Sequence, residues 1–214
     1  MLTDLSAHQI FRRAANDLLM TIDLNREQLI RNAAKGSAEA FEALILSCHS
    51  KAYAVAFRYM KNEADASDVL QEAYIKLYTK LRTFSYKSSF DTWFIRIVIN
   101  CCYDALRQQK SERNKRDQSE DGNDRAEMLP GTRSEESPEE AILKDERRLM
   151  LDQAMVSLSS EHRDVLILRE YQQYSYEEIA GILALSEGTV KSRINRAKLR
   201  LREILKEQNP EFFV

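Results

Sequence analysis

Residues 175–206 read SYEEIAGILALSEGTVKSRINRAKLRLREILK. The spacing predicts two helices meeting across a tight turn. Ser175 is followed three residues on by Glu178, a capping box in which each side chain takes the other's orphan backbone N–H. Ile179, Ala180 and Leu183 share one side of a short first helix. A turn at Ala184-Leu185-Ser186 leads into a second helix from Glu187. Ala180 is small where two helices must cross closely, and Val190 stands at the inward position of the second helix. This is the spacing of a helix-turn-helix, over residues 176–195.

On a helical wheel the second helix has two characters. Val190, Ile194, Ala197 and Leu201 fall on one narrow face that must be buried. The opposite face carries Gly188, Thr189, Ser192, Asn195 and Arg196, with Lys191, Arg193, Lys198, Arg200 and Arg202 on the flanks. Short polar residues and an Arg suit base edges in the major groove, and flanking cations suit phosphates. Cationic richness alone would equally describe a solvated helix face. The turn, the caps and the sign bias together favour DNA.

Working outward, two more helices are expected upstream, around Ala141–Leu158 and Glu161–Tyr171, preceded by a second capping box at Ser137-Pro138-Glu140. Before them, residues 111–141 read SERNKRDQSEDGNDRAEMLPGTRSEESPEEA, with acids outnumbering bases about two to one and almost no large apolar residue. Such a stretch buries too little apolar surface to offset its chain entropy, so it is expected to be a flexible acidic linker. Upstream again, three segments have helical period. Phe41, Leu44, Ile45, Cys48, Ala52, Val55, Ala56 and Tyr59 form one stripe; Val69, Ala73, Leu77 and Leu81 a second; Phe90, Trp93, Phe94, Ile97, Val98, Cys101 and Ala105 a third. Period-two alternation is absent. The expected fold is all-α: two small helical domains, 29–110 and 142–208, joined by the linker at 111–141, with an N-terminal extension at 1–28.

Composition agrees. The 214 residues include only 5 Gly and 3 Pro, and Lys+Arg 32 against Asp+Glu 34 leaves a net charge of -2. That excludes a uniformly basic nucleic-acid binder but allows segregated charge. Cys48, Cys101 and Cys102 offer no disulfide framework and no metal-ligand spacing. His8, His49 and His162 are scattered, and no Gly-rich phosphate loop occurs. No catalytic set, metal or cofactor is expected. The start lacks an unbroken apolar core, and no apolar run approaches the ~20 residues that span a bilayer, so no membrane insertion and a cytoplasmic location are expected.

Residues 175–203 resemble region 4.2 of bacterial sigma factors of the sigma-70 family, extracytoplasmic-function (ECF) group. LSSEHRDVLILREY (158–171) is similar to region 4.1, DASDVLQEAYIKLY (65–78) to region 2.2, and FSYKSSFDTWFIRIVINCCYDALR (84–107) to regions 2.3 and 2.4. The resemblance implies a sigma factor rather than an enzyme. Its partners would be core RNA polymerase, promoter DNA and an anti-sigma protein covering these surfaces, with no small-molecule substrate. Asp65, Asp68, Gln71, Glu72 and Lys76 would dock on the clamp helices of the polymerase largest subunit. Lys87, Ser88, Arg96, Asn100, Tyr103 and Arg107 would hold the minus-ten strand as it melts. Thr189, Lys191, Ser192, Arg193, Asn195, Arg196 and Lys198 would read the minus-thirty-five element. Two departures stand out: the family often has Gly where this chain has Ala184 and Tyr86. Two rival readings use less of the chain. One is a one-piece DNA-binding regulator relying on the C-terminal motif; the other is a helical adaptor that never touches DNA.

Overall fold

Eight helices make up the described residues of the computed structural model, which are 25–116 and 138–210. Most of the span read as a linker, the serine of the capping box at Ser137 and nearly all of the N-terminal extension lie outside them. In chain order they are α1 (25–34), α2 (Ala38–Met60), α3 (Glu63–Lys80), α4 (Phe90–Arg116), α5 (Pro138–Val156), α6 (Ser160–Leu166), α7 (Tyr176–Leu183) and α8 (Glu187–Gln208). A 3-10 turn at Leu81–Thr83 follows α3, and a π turn at Ile167–Tyr171 follows α6. No strand occurs among the described residues.

Two helix ends differ from expectation. α4 does not stop near residue 110 but runs to Arg116. No Gly or Pro interrupts 111–116, and Gln108 donates to Glu112 at 3.1 Å, an i,i+4 pair that extends the helix. The single helix expected over 161–171 is broken: α6 ends at Leu166 and the chain widens into the π turn, where the Gln172 N–H reaches back five residues to the Ile167 carbonyl (3.2 Å). Gln173 then takes a left-handed conformation (φ 59°), which stops the helix. Four consecutive residues, Val165 to Leu168, are buried across this widened turn.

The described residues divide into two units. One comprises the chain up to Ser50 with Tyr74–Ser85; the other comprises Lys51–Ala73 with the chain from Tyr86 onward. In the first, Ile30, Ala33, Leu44, Cys48, Leu77 and Leu81 are buried. Gly36, at φ 101°, makes the turn out of α1. Ser37 then caps α2, accepting from the Ala40 N–H at 3.2 Å. Phe41 meets Tyr78 edge to face at 5.2 Å, and the His49 ring nitrogen lies 2.7 Å from the Tyr74 hydroxyl.

In the second unit α4 is buried on more than one side. The predicted stripe is inward, except that Trp93 and Ala105 are only half-buried. Ile95, Ile99 and Cys102 lie off that stripe and are buried too. A helix apolar over so wide an arc is covered by more than one neighbour, and α7 is one of them. α5, α6 and α7 all pack on α8. On α8 the inward residues are Val190, Ile194, Ala197 and Ile204. Leu201, expected in that row, is only half-covered, and the buried row continues one turn further to Ile204.

The two helices of the C-terminal motif start and stop as their sequence dictates. The Ser175 hydroxyl accepts from the Glu178 N–H at 3.1 Å, and the Glu178 carboxylate accepts from the Ser175 N–H at 2.8 Å. Ala184 closes α7 in the left-handed region (φ 55°, ψ 48°), with the Leu185 N–H donating to the Ala180 carbonyl at 3.0 Å. A glycine would hold that conformation without the ~1 kcal/mol that a Cβ costs there. Ser186 then caps α8, accepting from the Thr189 N–H at 3.2 Å.

Candidate nucleic-acid interface

Capping and turn fix the direction of α8, and its buried row fixes the rotation about its axis. Lys191, Ser192, Asn195, Arg196 and Lys198 are consequently exposed. The Arg196 guanidinium is braced by its own helix, donating through Nε to the Ser192 carbonyl and through Nη2 to the Ser192 hydroxyl, each at 3.3 Å. Thr189 is half-buried and shares a 2.8 Å hydrogen bond with Ser186. Arg193 is half-buried, 3.3 Å from Glu161, and Lys198 lies 2.9 Å from Glu170. Ion pairs this close to solvent are worth ~1 kcal/mol or less, so a phosphate can replace the carboxylate at small cost. The motif therefore presents a polar row with cations on both flanks, as the wheel predicts.

On α3, Asp68, Gln71 and Glu72 are exposed. Asp65, Asp68 and Glu72 line one open cleft with Asp104 and Glu112 of α4. No cation lines that cleft, so it presents negative potential to a basic partner. Asp65 differs from the other two. Its carboxylate accepts from Asn62 at 2.7 Å and from Gln109 at 2.8 Å, while its backbone N–H donates to the Asn62 side chain at 2.8 Å. It is spent on starting α3 and tying it to α4. Lys76, further along α3, is half-buried.

The six residues expected at the minus-ten strand are not all brought together. Lys87 is exposed and Ser88 half-buried in the loop that follows Tyr86, which is itself left-handed (φ 57°). The conformation is one that glycine takes without strain. Ser89 caps α4, accepting from the Thr92 N–H at 3.1 Å. Asn100 and Arg107 are exposed on α4, Arg107 paired with Asp104 one turn back. Arg96 and Tyr103 face the C-terminal helices instead. Arg96 donates through Nε to the Ile182 carbonyl at 3.0 Å and through Nη2 to the Gly181 carbonyl. The Tyr103 hydroxyl donates to the Asp164 carboxylate. In this conformation neither is available to DNA.

Sequence reading missed the residues that hold this arrangement. The Tyr59 hydroxyl donates to the same Asp164 oxygen at 2.6 Å, and Lys61 Nζ lies 2.5 Å from the Asp152 carboxylate. The Arg58 guanidinium sits 4.0 Å over the Tyr171 ring. Burial raises the Asp164 pKa above the usual carboxylate value, although Tyr103, Tyr59, Arg163 and Arg193 pull it down. Burial and the Asp164 charge also raise Tyr59 and Tyr103. Partners 61 to 113 residues apart leave no periodic signal. The one local hint is an aspartate beside the apolar run 165–168.

The sequence matches the Sigma-70 region 2 family over residues 44–112 and the Sigma-70, region 4 family over residues 148–201. It is similar to the RNA polymerase sigma-H factor of Pseudomonas aeruginosa, at 36% identity over 176 residues, 80% of this chain and 89% of that one. It is similar also to the ECF RNA polymerase sigma-E factor of Escherichia coli K12, at 33% identity over 179 residues, 84% and 93% of the two chains. Among solved structures it resembles the sigma factor RpoE in complex with the anti-sigma factor NepR from Bartonella quintana (TM-score 0.59, 25% identity, 79% of this chain and 98% of that one). It resembles likewise CnrH in complex with the cytosolic domain of CnrY (TM-score 0.57, 26% identity, 84% and 96%).

Proposed function

We infer the function from one premise: this chain belongs to the sigma-70 family of RNA polymerase sigma factors, in the extracytoplasmic-function group. It is an alternative sigma factor that binds core RNA polymerase, recognises the minus-thirty-five and minus-ten promoter elements and promotes DNA melting for transcription initiation. The observation that carries this is the presence, in one chain and in this order, of a region 2 match and a region 4 match, each on helices whose polar faces are exposed.

The assignment to residues is our reading. α8 lies in the major groove at minus thirty-five, with Asn195 and Arg196 on base edges and Lys191, Arg193 and Lys198 on phosphates. The acid-lined cleft and outer face of α3, with Asp68, Gln71 and Glu72 foremost, dock on a cationic surface of core polymerase, where charge sets encounter rate and register. Lys87, Ser88, Asn100 and Arg107, joined by Arg96 and Tyr103 once these are released, hold the unpaired minus-ten strand. Asn100 carries the donor and acceptor that a base edge requires. The chain needs no bond-making chemistry of its own. It holds the melted strand better than the duplex, so strand separation is a population shift driven by differential affinity, and polymerase performs the synthesis. The work is done on DNA in the cytoplasm, and no helix among the described residues is long and apolar enough to cross a membrane. Because both solved relatives above are complexes with a second protein, the first with an anti-sigma factor by name, an anti-sigma protein is the partner expected to control this chain.

Run-off transcription with core polymerase on genomic fragments tests the reading. Promoter-specific transcripts should arise only when the chain is added. A chain that binds DNA without polymerase and yields none is a simple regulator, and the sigma reading fails.

A further inference from the structure

Of the large apolar side chains on α8, Leu199 alone is exposed, at 62%. A single exposed leucine is ordinary on a protein surface, so its neighbours decide what it means. It stands seven residues after Ser192, four after Asn195 and three after Arg196, and the four side chains form one row along the helix. A helix seated in the major groove offers base edges its positions i, i+3, i+4 and i+7. Ser192, Asn195, Arg196 and Leu199 occupy those positions, and all four are exposed. Leu199 is therefore the fourth place of the reading row. One turn on, the row meets Glu203, whose carboxylate accepts from Arg200 at 3.0 Å. An acid there ends the surface that a phosphate backbone can approach.

The charges around Leu199 indicate what covers it. Lys198 and Arg202 stand on one side of the row and Arg200 on the other, all exposed. An apolar anchor for a protein partner sits among other apolar groups in a desolvated patch. Around Leu199 the neighbours on the helix surface are instead Asn195, Arg196, Lys198, Arg200, Arg202 and Glu203. Cations on both sides of an apolar tip match a DNA groove, where phosphates flank the one apolar group that base pairs present there, the thymine C5 methyl. We propose that Leu199 is a specificity-determining residue that packs on a thymine methyl in the minus-thirty-five element. That thymine lies one or two base pairs beyond the base that Asn195 or Arg196 contacts, because three or four residues of helix rise ~4.5–6 Å against ~3.4 Å per base pair. The contact needs no hydrogen bond: an apolar side chain shields the methyl from water, and a polar one would leave it wet. The proposal rests on the reading of α8 as the minus-thirty-five helix. It adds one letter of the element and the side chain that reads it.

The test removes the methyl and the leucine separately and together. Holoenzyme assembled from core polymerase and this chain is bound to a promoter fragment in which each thymine of the minus-thirty-five element is replaced in turn by deoxyuridine, which lacks only the methyl. At one position the replacement should weaken binding of the wild type about fourfold, the effect of leaving one methyl-sized group unburied. Leu199→Ala should bind the unmodified fragment about fourfold or more weakly, with the salt slope unchanged because no charge is lost. It should also be indifferent, within about 1.5-fold, to deoxyuridine at that same position, which is the coupling a direct contact requires. Leu199→Met keeps an apolar tip and should recover most of the sensitivity to the methyl. Because Leu199 is exposed, the Tm of both variants should stay at the wild-type value, so that weaker binding is not unfolding. Deoxyuridine effects of equal size in wild type and Leu199→Ala at every position overturn the proposal. So does poorer retention of Leu199→Ala on core polymerase in the absence of DNA, which assigns the leucine to a protein partner. Run-off transcription keeps the two readings apart. Promoter-specific transcripts without coupling sink the thymine contact and leave the sigma reading standing. If wild type yields no transcripts the sigma reading falls, and the same scan on duplexes that the chain selects from a random pool decides the contact: coupling supports it, equal effects overturn it.

Discussion

α4 and α8 are both read as nucleic-acid helices, yet the structure treats their polar faces in opposite ways. On α8 the candidate base reader Arg196 is braced within its own helix, and Arg193 and Lys198 on its flanks pair with surface carboxylates. On α4, Arg96 and Tyr103 are held by acceptors 85 and 61 residues away, one of them a carboxylate largely shielded from water. Exposed ion pairs exchange for phosphates at little cost, whereas donors matched to shielded acceptors must leave those acceptors unsatisfied. On the proposed assignment, the polar face of α8 is open to duplex DNA while Arg96 and Tyr103 of α4 are already engaged.

The largest effect should come from removing what α8 uses. Asn195→Ala with Arg196→Ala should lower promoter-dependent transcription by about 30-fold or more, since each base contact is worth ~1–3 kcal/mol. The same pair should leave polymerase binding in a pull-down unchanged. Equal loss of both would break the division between the helices. Asp68→Ala with Gln71→Ala should act at the other end of the pathway: retention on core polymerase falls by roughly 10-fold, while the affinity of the C-terminal helices for duplex DNA is untouched.

A smaller effect is expected from pH, and on α4 alone. Asp164 is raised, first by burial, so the form seen here, with Asp164 covered by Tyr59 and Tyr103, binds a proton more readily than an open form in which the carboxyl is solvated near 3.8. Its contribution therefore favours covering increasingly as pH falls from above the raised pKa towards 3.8, and levels off below that value. The groups facing it are Tyr59 on α2, Tyr103 and Cys102 on α4, Arg163 on α6 and Arg193 on α8, and only the carboxyl titrates in that window. A Cβ built on Gly181 would lie 3.0 Å from Thr92 Cγ2, so crosslinking of Thr92→Cys with Gly181→Cys reports the covered form. Equilibrated at each pH and quenched, it should rise on mild acidification; Asp164→Asn should abolish the dependence.

Two modest changes complete the comparison. Lys198→Ala should weaken duplex binding only a few-fold, equally across sequences, and reduce the salt slope by about 1, which marks a phosphate contact rather than a base reader. Ala184→Gly should relieve the left-handed strain at the end of α7 and stabilise the chain by about 0.5–1 kcal/mol, seen as a rise of a few degrees in Tm. Loss of stability would mean that the turn is held by contacts a Cβ makes.

Much of this was legible beforehand because it is local. The Ser175–Glu178 box, the apolar row of α8 and the exposure of Ser192, Asn195 and Arg196 each follow from spacing within a few turns. Ala184 and Tyr86, both left-handed, are the two positions where the family resembled often has Gly. Boundaries were less legible. α4 outran its expected end because nothing in 111–116 breaks a helix, and 161–171 broke because a π turn and Gln173 intervene. The resemblance groups Asp65 with Asp68, although Asn62 and Gln109 take up its carboxylate.

The sequence by itself determined that the described residues are built from helices, and which sides of them are apolar, because helix caps and periodic burial depend on neighbours three and four residues away. Only the tertiary structure decided which polar side chains on those helices are free. Whether Arg96 meets water, a phosphate or the end of α7 depends on what the rest of the chain brings within 3 Å of it, and hydrogen bonding falls off too steeply with distance for any one-dimensional pattern to record that.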